Sequence, residues 1–216
     1  MLKALIQPVT PFQQNASIIY CDKTKECAIV DPGGDIEILL EVARQEDLIP
    51  EKILLTHGHI DHAGGATELS EILNVKIYGP HINDKFLLDG LQKQSEMFGM
   101  QSKNCSPDRW LDDGDVIKIG NEKLEVYLCP GHTPGHLIFF NRESKLALVG
   151  DVLFKGSIGR TDLPGGNFEA LIKSVKNKLW PLGNDIKFIP GHGPMSSFSV
   201  ERESNPFVSD KALGLN

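Results

Sequence analysis

The sequence predicts an α/β fold in which sheets are covered by helices in layers. Three observations predict it. Short apolar or alternating runs recur along the chain, segments with helical apolar spacing lie between them, and most runs stop at Gly, Pro or Asp. Leu2 to Val9, Ser17 to Cys21 and Glu26 to Val30 read as strands bounded by turn residues. The turn DPGG (Asp31 to Gly34) follows. Asp35 then caps a helix to about Gln45, with Ile36, Leu39, Leu40 and Ala43 on one face. The apolar run Lys52 to Leu55 is a buried strand, Ala66 to Leu73 a helix and VKIYG a strand.

From His81 to Cys105 the chain is more polar, with a helix in KFLLDGLQKQSEMF, and reads as an insertion over one edge of the core. Strands resume at Asp115 to Ile119, Lys123 to Cys129, His136 to Asn141 and Lys145 to Val149. A helix over Phe168 to Trp180 and a strand over Asp185 to Ile189 close the pattern. No internal repeat is visible. The expectation is one domain over residues 1–216, long enough to bury a full core.

Composition narrows the function. Apolar residues make up 40% and charged residues 24%, as in ordinary globular chains. No stretch approaches the ~20 apolar residues of a membrane span. MLKALIQPVTPF lacks the apolar centre of a secretory signal, so the expected location is the cytoplasm, with no membrane partner. A net charge of −7 without a Lys/Arg-rich run argues against nucleic acid. Cys21, Cys27, Cys105 and Cys129 form no CxxC pair and are expected to be buried free thiols.

The densest signal is THGHIDH, Thr56 to His62, between the Lys52 to Leu55 strand and a helix. Neutral imidazoles beside a carboxylate on a tight corner suit zinc, iron or manganese. His57 and His59, two apart in extended chain, point the same way and suit one cation. Asp61 and His62 lie across the turn and suit a second. Gly58 is expected to let the backbone pass close to a charged centre. Three further corners repeat the layout of a polar residue at a strand end beside Gly or Pro. They are CPGHTPGH with His132, LVGD with Asp151, and FIPGHGP with His192. Five of the seven histidines fall at these candidate positions. Asp151, alone between apolar flanks, needs a compensating charge. His136 is expected beside the site or in the core, and His81 in a surface turn.

THGHIDH, GHTPGH, the strand-end GD and PGHGP together resemble the metallo-beta-lactamase superfamily, in order over nearly the whole chain. Within it the chain is similar to the glyoxalase II group, the hydroxyacylglutathione hydrolases, and to their short single-domain bacterial branch. IVDPGG, PDRWLDDGD, GDVLFKGSIGRTDLPGG and ERESNPF support this. The resemblance implies an αββα four-layer sandwich with two transition-metal ions on one edge, zinc foremost and iron or manganese as alternatives. It implies His57, His59 and His132 on one ion, Asp61, His62 and His192 on the other, and Asp151 bridging.

Such a pair, roughly 3.5–4 Å apart, acidifies a shared water and polarises a carbonyl. The expected reaction is hydrolysis of a small-molecule, glutathione-linked thioester such as S-lactoylglutathione by a metal-bridging hydroxide. Asp61 is expected to be the catalytic residue that orients the hydroxide. A thiol pKa of about 8.5 lets the thiolate leave without strong acid assistance. Longer members of the group add a C-terminal helical domain with glutathione contacts, whereas only residues 193–216 follow His192 here. Those members also place Lys and Tyr where this chain has Arg160 and Asp162. Arg160 and Lys155 are therefore the expected substrate-binding cations. GRTD (Gly159 to Asp162) also resembles the superfamily's persulfide dioxygenases, whose single iron is held by two His and one Asp. That is the alternative reading.

Overall fold

Two mixed sheets stack face to face in the computed structural model, which describes residues 1–215. The first orders β1 (Leu2–Val9), β2 (Gln14–Cys21), β3 (Glu26–Val30), β4 (Ile49–Leu54) and β5 (Lys76–Tyr78) as in the chain. Its first three strands are antiparallel and its last three parallel. The second sheet holds β6 (Val116–Ile119), β7 (Glu122–Leu128), β8 (Leu137–Asn141) and β9 (Leu146–Gly150), then β12 (Lys187–Pro190) and β13 (Ser196–Ser197). The hairpin β10 (Leu153–Phe154) and β11 (Ser157–Ile158) stands apart from both.

Three apolar layers follow from the alternation along the strands. Ile19, Val30 and Leu54 of the first sheet meet Ile117, Leu124, Val126 and Phe139 of the second. On the outer face of the first sheet, Ile18, Ile29 and Ile53 pack under α1 (Ile36–Gln45) and α3 (Ala66–Leu73). On the outer face of the second, Phe140, Ala147 and Phe188 pack under α6 (Phe168–Ser174) and α7 (Phe198–Ser204). Helix, sheet, sheet and helix are the four layers expected. Truncating a fully buried ring such as Phe139 to alanine costs about 3–5 kcal/mol.

Several boundaries differ from expectation for local reasons. β2 begins at Gln14, earlier than Ser17, because β1 pairs with it down to Val9–Gln14. Asp35 precedes α1 without capping it; its carboxylate accepts the Thr10 N–H at 2.6 Å. A short α2 (Ile60–Ala63) precedes α3. The expected 85–98 helix breaks at Asp89–Gly90 into α4 (Lys85–Leu88) and α5 (Leu91–Phe98), which bury Leu88 and Leu91 in the first helical layer. The 168–180 helix leaves α-geometry after Ser174, with a π-helical stretch to Leu179 and a 3₁₀ turn to Leu182. β10, β11, β13 and α7 were not expected at all. In α7, capped by Ser197, the tail motif finds a structural use. Buried Glu201 accepts from Gly156 N, Ser196 Oγ and Asn205 Nδ2, and Asn205 in turn donates to Ser157 O, so α7 braces the β10–β11 hairpin. All four cysteines are buried and free. No helix among the described residues is long and apolar enough to cross a membrane.

Candidate metal centre

The candidate ligands converge on one edge of the sandwich because strand ends of both sheets meet there. β4 of the first sheet delivers His57, His59, Asp61 and His62, the last two on α2. In the second sheet β7 delivers His132, β9 delivers Asp151 and β12 delivers His192. β9 and β12 run parallel with Pro190 opposite Gly150, which sets Asp151 and His192 side by side. Gly191 makes that approach possible. A Cβ there would lie 2.1 Å from Asp151 Oδ1 and 2.6 Å from His62 Cε1. Gly58 serves differently from expectation: its missing Cβ makes room for Leu87 of α4, 2.7 Å away, rather than for the ligand cluster.

Two triads form. Ligand atoms of His57, His59 and His132 lie within 4.8 Å of one another, as do those of Asp61, His62 and His192. His59 Nδ1 faces His132 Nε2 at 2.9 Å, and Asp61 Oδ2 faces His192 Nε2 at 3.1 Å. Asp151 sits between the triads, with Oδ1 3.4 Å from His62 Nε2 and Oδ2 3.5 Å from His132 Nε2. Arg160 and Lys155 lie on the surface. The Arg160 guanidinium makes a two-pronged 2.8 Å pair with Asp162, while its backbone oxygen accepts from His132 Nδ1 at 2.7 Å. Lys155 is exposed in the β10–β11 turn. His136 packs behind the site as expected, stacked on His57 at 4.7 Å and accepting the Asp151 N–H at 3.0 Å. His81, half-buried, caps the 3₁₀ turn at Ile82–Asp84.

Two buried carboxylates behind the cluster, Asp31 and Asp84, are not among the expected site residues. Asp31 accepts from the Thr56 N–H (2.7 Å) and hydroxyl (2.6 Å) and from His62 Nδ1 (2.9 Å). It ends an apolar strand exactly as Asp151 does, a layout that marks it in retrospect. Asp84 accepts from Gly58 N, Thr133 Oγ1 and Gly135 N. Nothing in HINDK announces it.

Burial and partners set the charges. Burial, helped by neighbouring imidazoles, pushes His57 and His136 well below the usual imidazole range. Burial takes His59 down to about 4 and lowers His132. The second triad is ionic. Burial disfavours charge on His62, yet Asp151 and Asp61 outweigh it and raise His62 well above the usual range. Burial likewise opposes ionisation of Asp151 and Asp61, but the facing imidazoles hold both below the usual carboxylate range.

A metal pair fits these groups. Buried polar atoms in folded proteins are almost always hydrogen-bonded. Yet the buried His57 Nε2, His62 Nε2 and Asp151 Oδ1 find no hydrogen-bond partner among the described residues. Each belongs to the cluster, and each is a donor type that metals take.

Comparison with known proteins agrees. The chain is 46% identical to hydroxyacylglutathione hydrolase GloC of Haemophilus influenzae, over 96% of this chain and 98% of that one. The BLEG-1 B3 metallo-beta-lactamase has a similar structure, at TM-score 0.87 and 36% identity, covering 96% of this chain and 99% of that one. So has TTHA1623, solved in a di-iron-bound form, at TM-score 0.86 and 35% identity over 94% of this chain and 100% of that one. A model of the metallo-beta-lactamase superfamily matches residues 9–192. With strand-end ligands, four layers and this match in agreement, the chain belongs to the metallo-beta-lactamase superfamily.

Proposed function

We propose that this chain is a binuclear metal-dependent thioesterase acting on S-lactoylglutathione-type thioesters. His57, His59 and His132 would hold one ion and Asp61, His62 and His192 the other, with Asp151 shared. The observation that carries this reading is the set of three orphaned buried ligand atoms, spread over both triads and the carboxylate between them. When bound, such a pair supplies an acidified water and polarises the carbonyl it attacks.

The chain's own residues do the rest. Asp61, at the open side of the cluster, orients the attacking water with its carboxylate. His132 is held by the Arg160 carbonyl and His62 by Asp31, which fix ring orientation and the nitrogen that faces inward. The thiolate departs without a general acid. Lys155 and Arg160 anchor carboxylates of the thiol half. For Arg160 this means exchanging Asp162 for substrate, a small cost because both are exposed. The name of the GloC relative supports the glutathione-linked class.

A thioester panel run on metal-quantified enzyme tests the proposal. We expect hydrolysis of S-lactoylglutathione with two zinc, iron or manganese ions per chain. Arg160→Ala should raise KM more than it lowers kcat, because a remote anchor contributes mostly uniform binding. Full activity with one ion, or oxygen consumption with glutathione persulfide while thioesters stay intact, would sink the proposal in favour of the dioxygenase reading.

A further inference from the structure

Asp84 belongs to the insertion, far in sequence from every candidate ligand, and is completely buried. Its Oδ2 accepts the Gly58 N–H at 3.0 Å and the Thr133 hydroxyl at 2.7 Å, and its Oδ1 accepts the Gly135 N–H at 2.5 Å. Gly58 lies between His57 and His59. Thr133 and Gly135 follow His132. One carboxylate thus ties together the two loops that carry all three imidazoles of the first triad, one loop from each sheet. The fit is close on both sides. A Cβ on Gly135 would lie 2.6 Å from Asp84 N, and one on Gly58 would meet Asp84 O at 3.2 Å. Among the described residues no Lys, Arg or His forms an ion pair with this carboxylate. A buried acid bound only by neutral donors is expensive to keep, and burial does lift its pKa to about 6. An amide would serve the site less well, because all three contacts need an acceptor.

Resting on the ligand assignment proposed above, we infer that Asp84 is a positioning residue that presets the spacing of His57, His59 and His132 and so sets affinity for the first ion alone. Among the described residues, none of its side-chain hydrogen bonds reaches the second triad.

The test measures zinc binding to the whole chain. Wild type, Asp84→Asn and Thr133→Val are stripped, titrated with zinc at buffered free concentrations, and analysed for bound metal. Asp84→Asn keeps the volume but turns an NH₂ group toward at least one donor. We expect it to weaken the first ion by about 10- to 100-fold, the usual range for outer partners of metal ligands, and to leave the second unchanged. In a His192→Ala background, where only the first triad is intact, the same change should weaken the remaining ion by the same factor. Thr133→Val removes one donor of three and should weaken the first ion by a smaller factor. Excess zinc should restore turnover in either variant, which it would not do for chains that are merely misfolded. The inference falls if Asp84→Asn binds two ions as wild type does, or if both sites weaken equally. If Asp84→Asn does not fold, Thr133→Val decides, and unchanged affinity for the first ion rejects the inference. Wild type binding fewer than two ions would instead reject the binuclear reading itself.

Discussion

The two triads use the same residue types and are built on opposite principles. His57 is fully buried, and the first triad is neutral, its imidazoles kept unprotonated by burial and by one another. The second is more open, with the side chains of His192 29% and Asp61 19% exposed, and is held by attraction between imidazoles and carboxylates. Its outer supports also differ. The first leans on Asp84 and the Arg160 carbonyl, the second on Asp31 and the Phe12 carbonyl. One half is thus ready-made for a cation, whereas the other carries charged groups and opens to the surface. The difference suggests a division between holding and reacting.

Three substitutions break or sharpen that contrast. Asp151→Ala removes the carboxylate common to both halves. It should abolish the asymmetry by costing both ions and lowering kcat/KM about 10³-fold or more, as read by elemental analysis and steady-state kinetics; retention of either ion at normal affinity would contradict its shared role. Asp61→Ala strikes only the open half. We expect kcat to fall about 10²-fold with the first ion retained, and near-normal turnover would remove Asp61 from the chemistry. Asp31→Asn is the counterpart of Asp84→Asn. It should weaken the second ion about 10- to 100-fold and spare the first; a zinc titration showing the reverse order would mean that the two supports are not separate.

How far the sequence could be read depended on distance along the chain. The seven candidate ligands could be picked out because they cluster at four corners that follow apolar strands, a local pattern. Asp31 shared that pattern but was read only as a turn, since DPGG is itself a strong turn signal. Asp84 was illegible: its meaning arises only when loops about His57 and His132 fold onto it. Strand edges shifted where a neighbour's ladder extended or cut a run, as β1 does for β2. α7 was missed because its short motif buries only Phe198 and Glu201, too few apolar positions to show a helical period. The tail string was visible as a motif, but not its work of bracing a hairpin 45 residues earlier in the chain.

Each triad takes two ligands from a first-sheet corner and one from a second-sheet strand end. The cluster is therefore a seam that exists only when the halves of the sandwich have docked. Whatever binds there fastens one half of the sandwich to the other, and its binding free energy is also folding free energy. At a free concentration one hundred times Kd, a single ligand contributes about 2.7 kcal/mol to the docked state. Scarcity of metal would then act twice on such a chain, removing the proposed chemistry and loosening the joint between the two sheets.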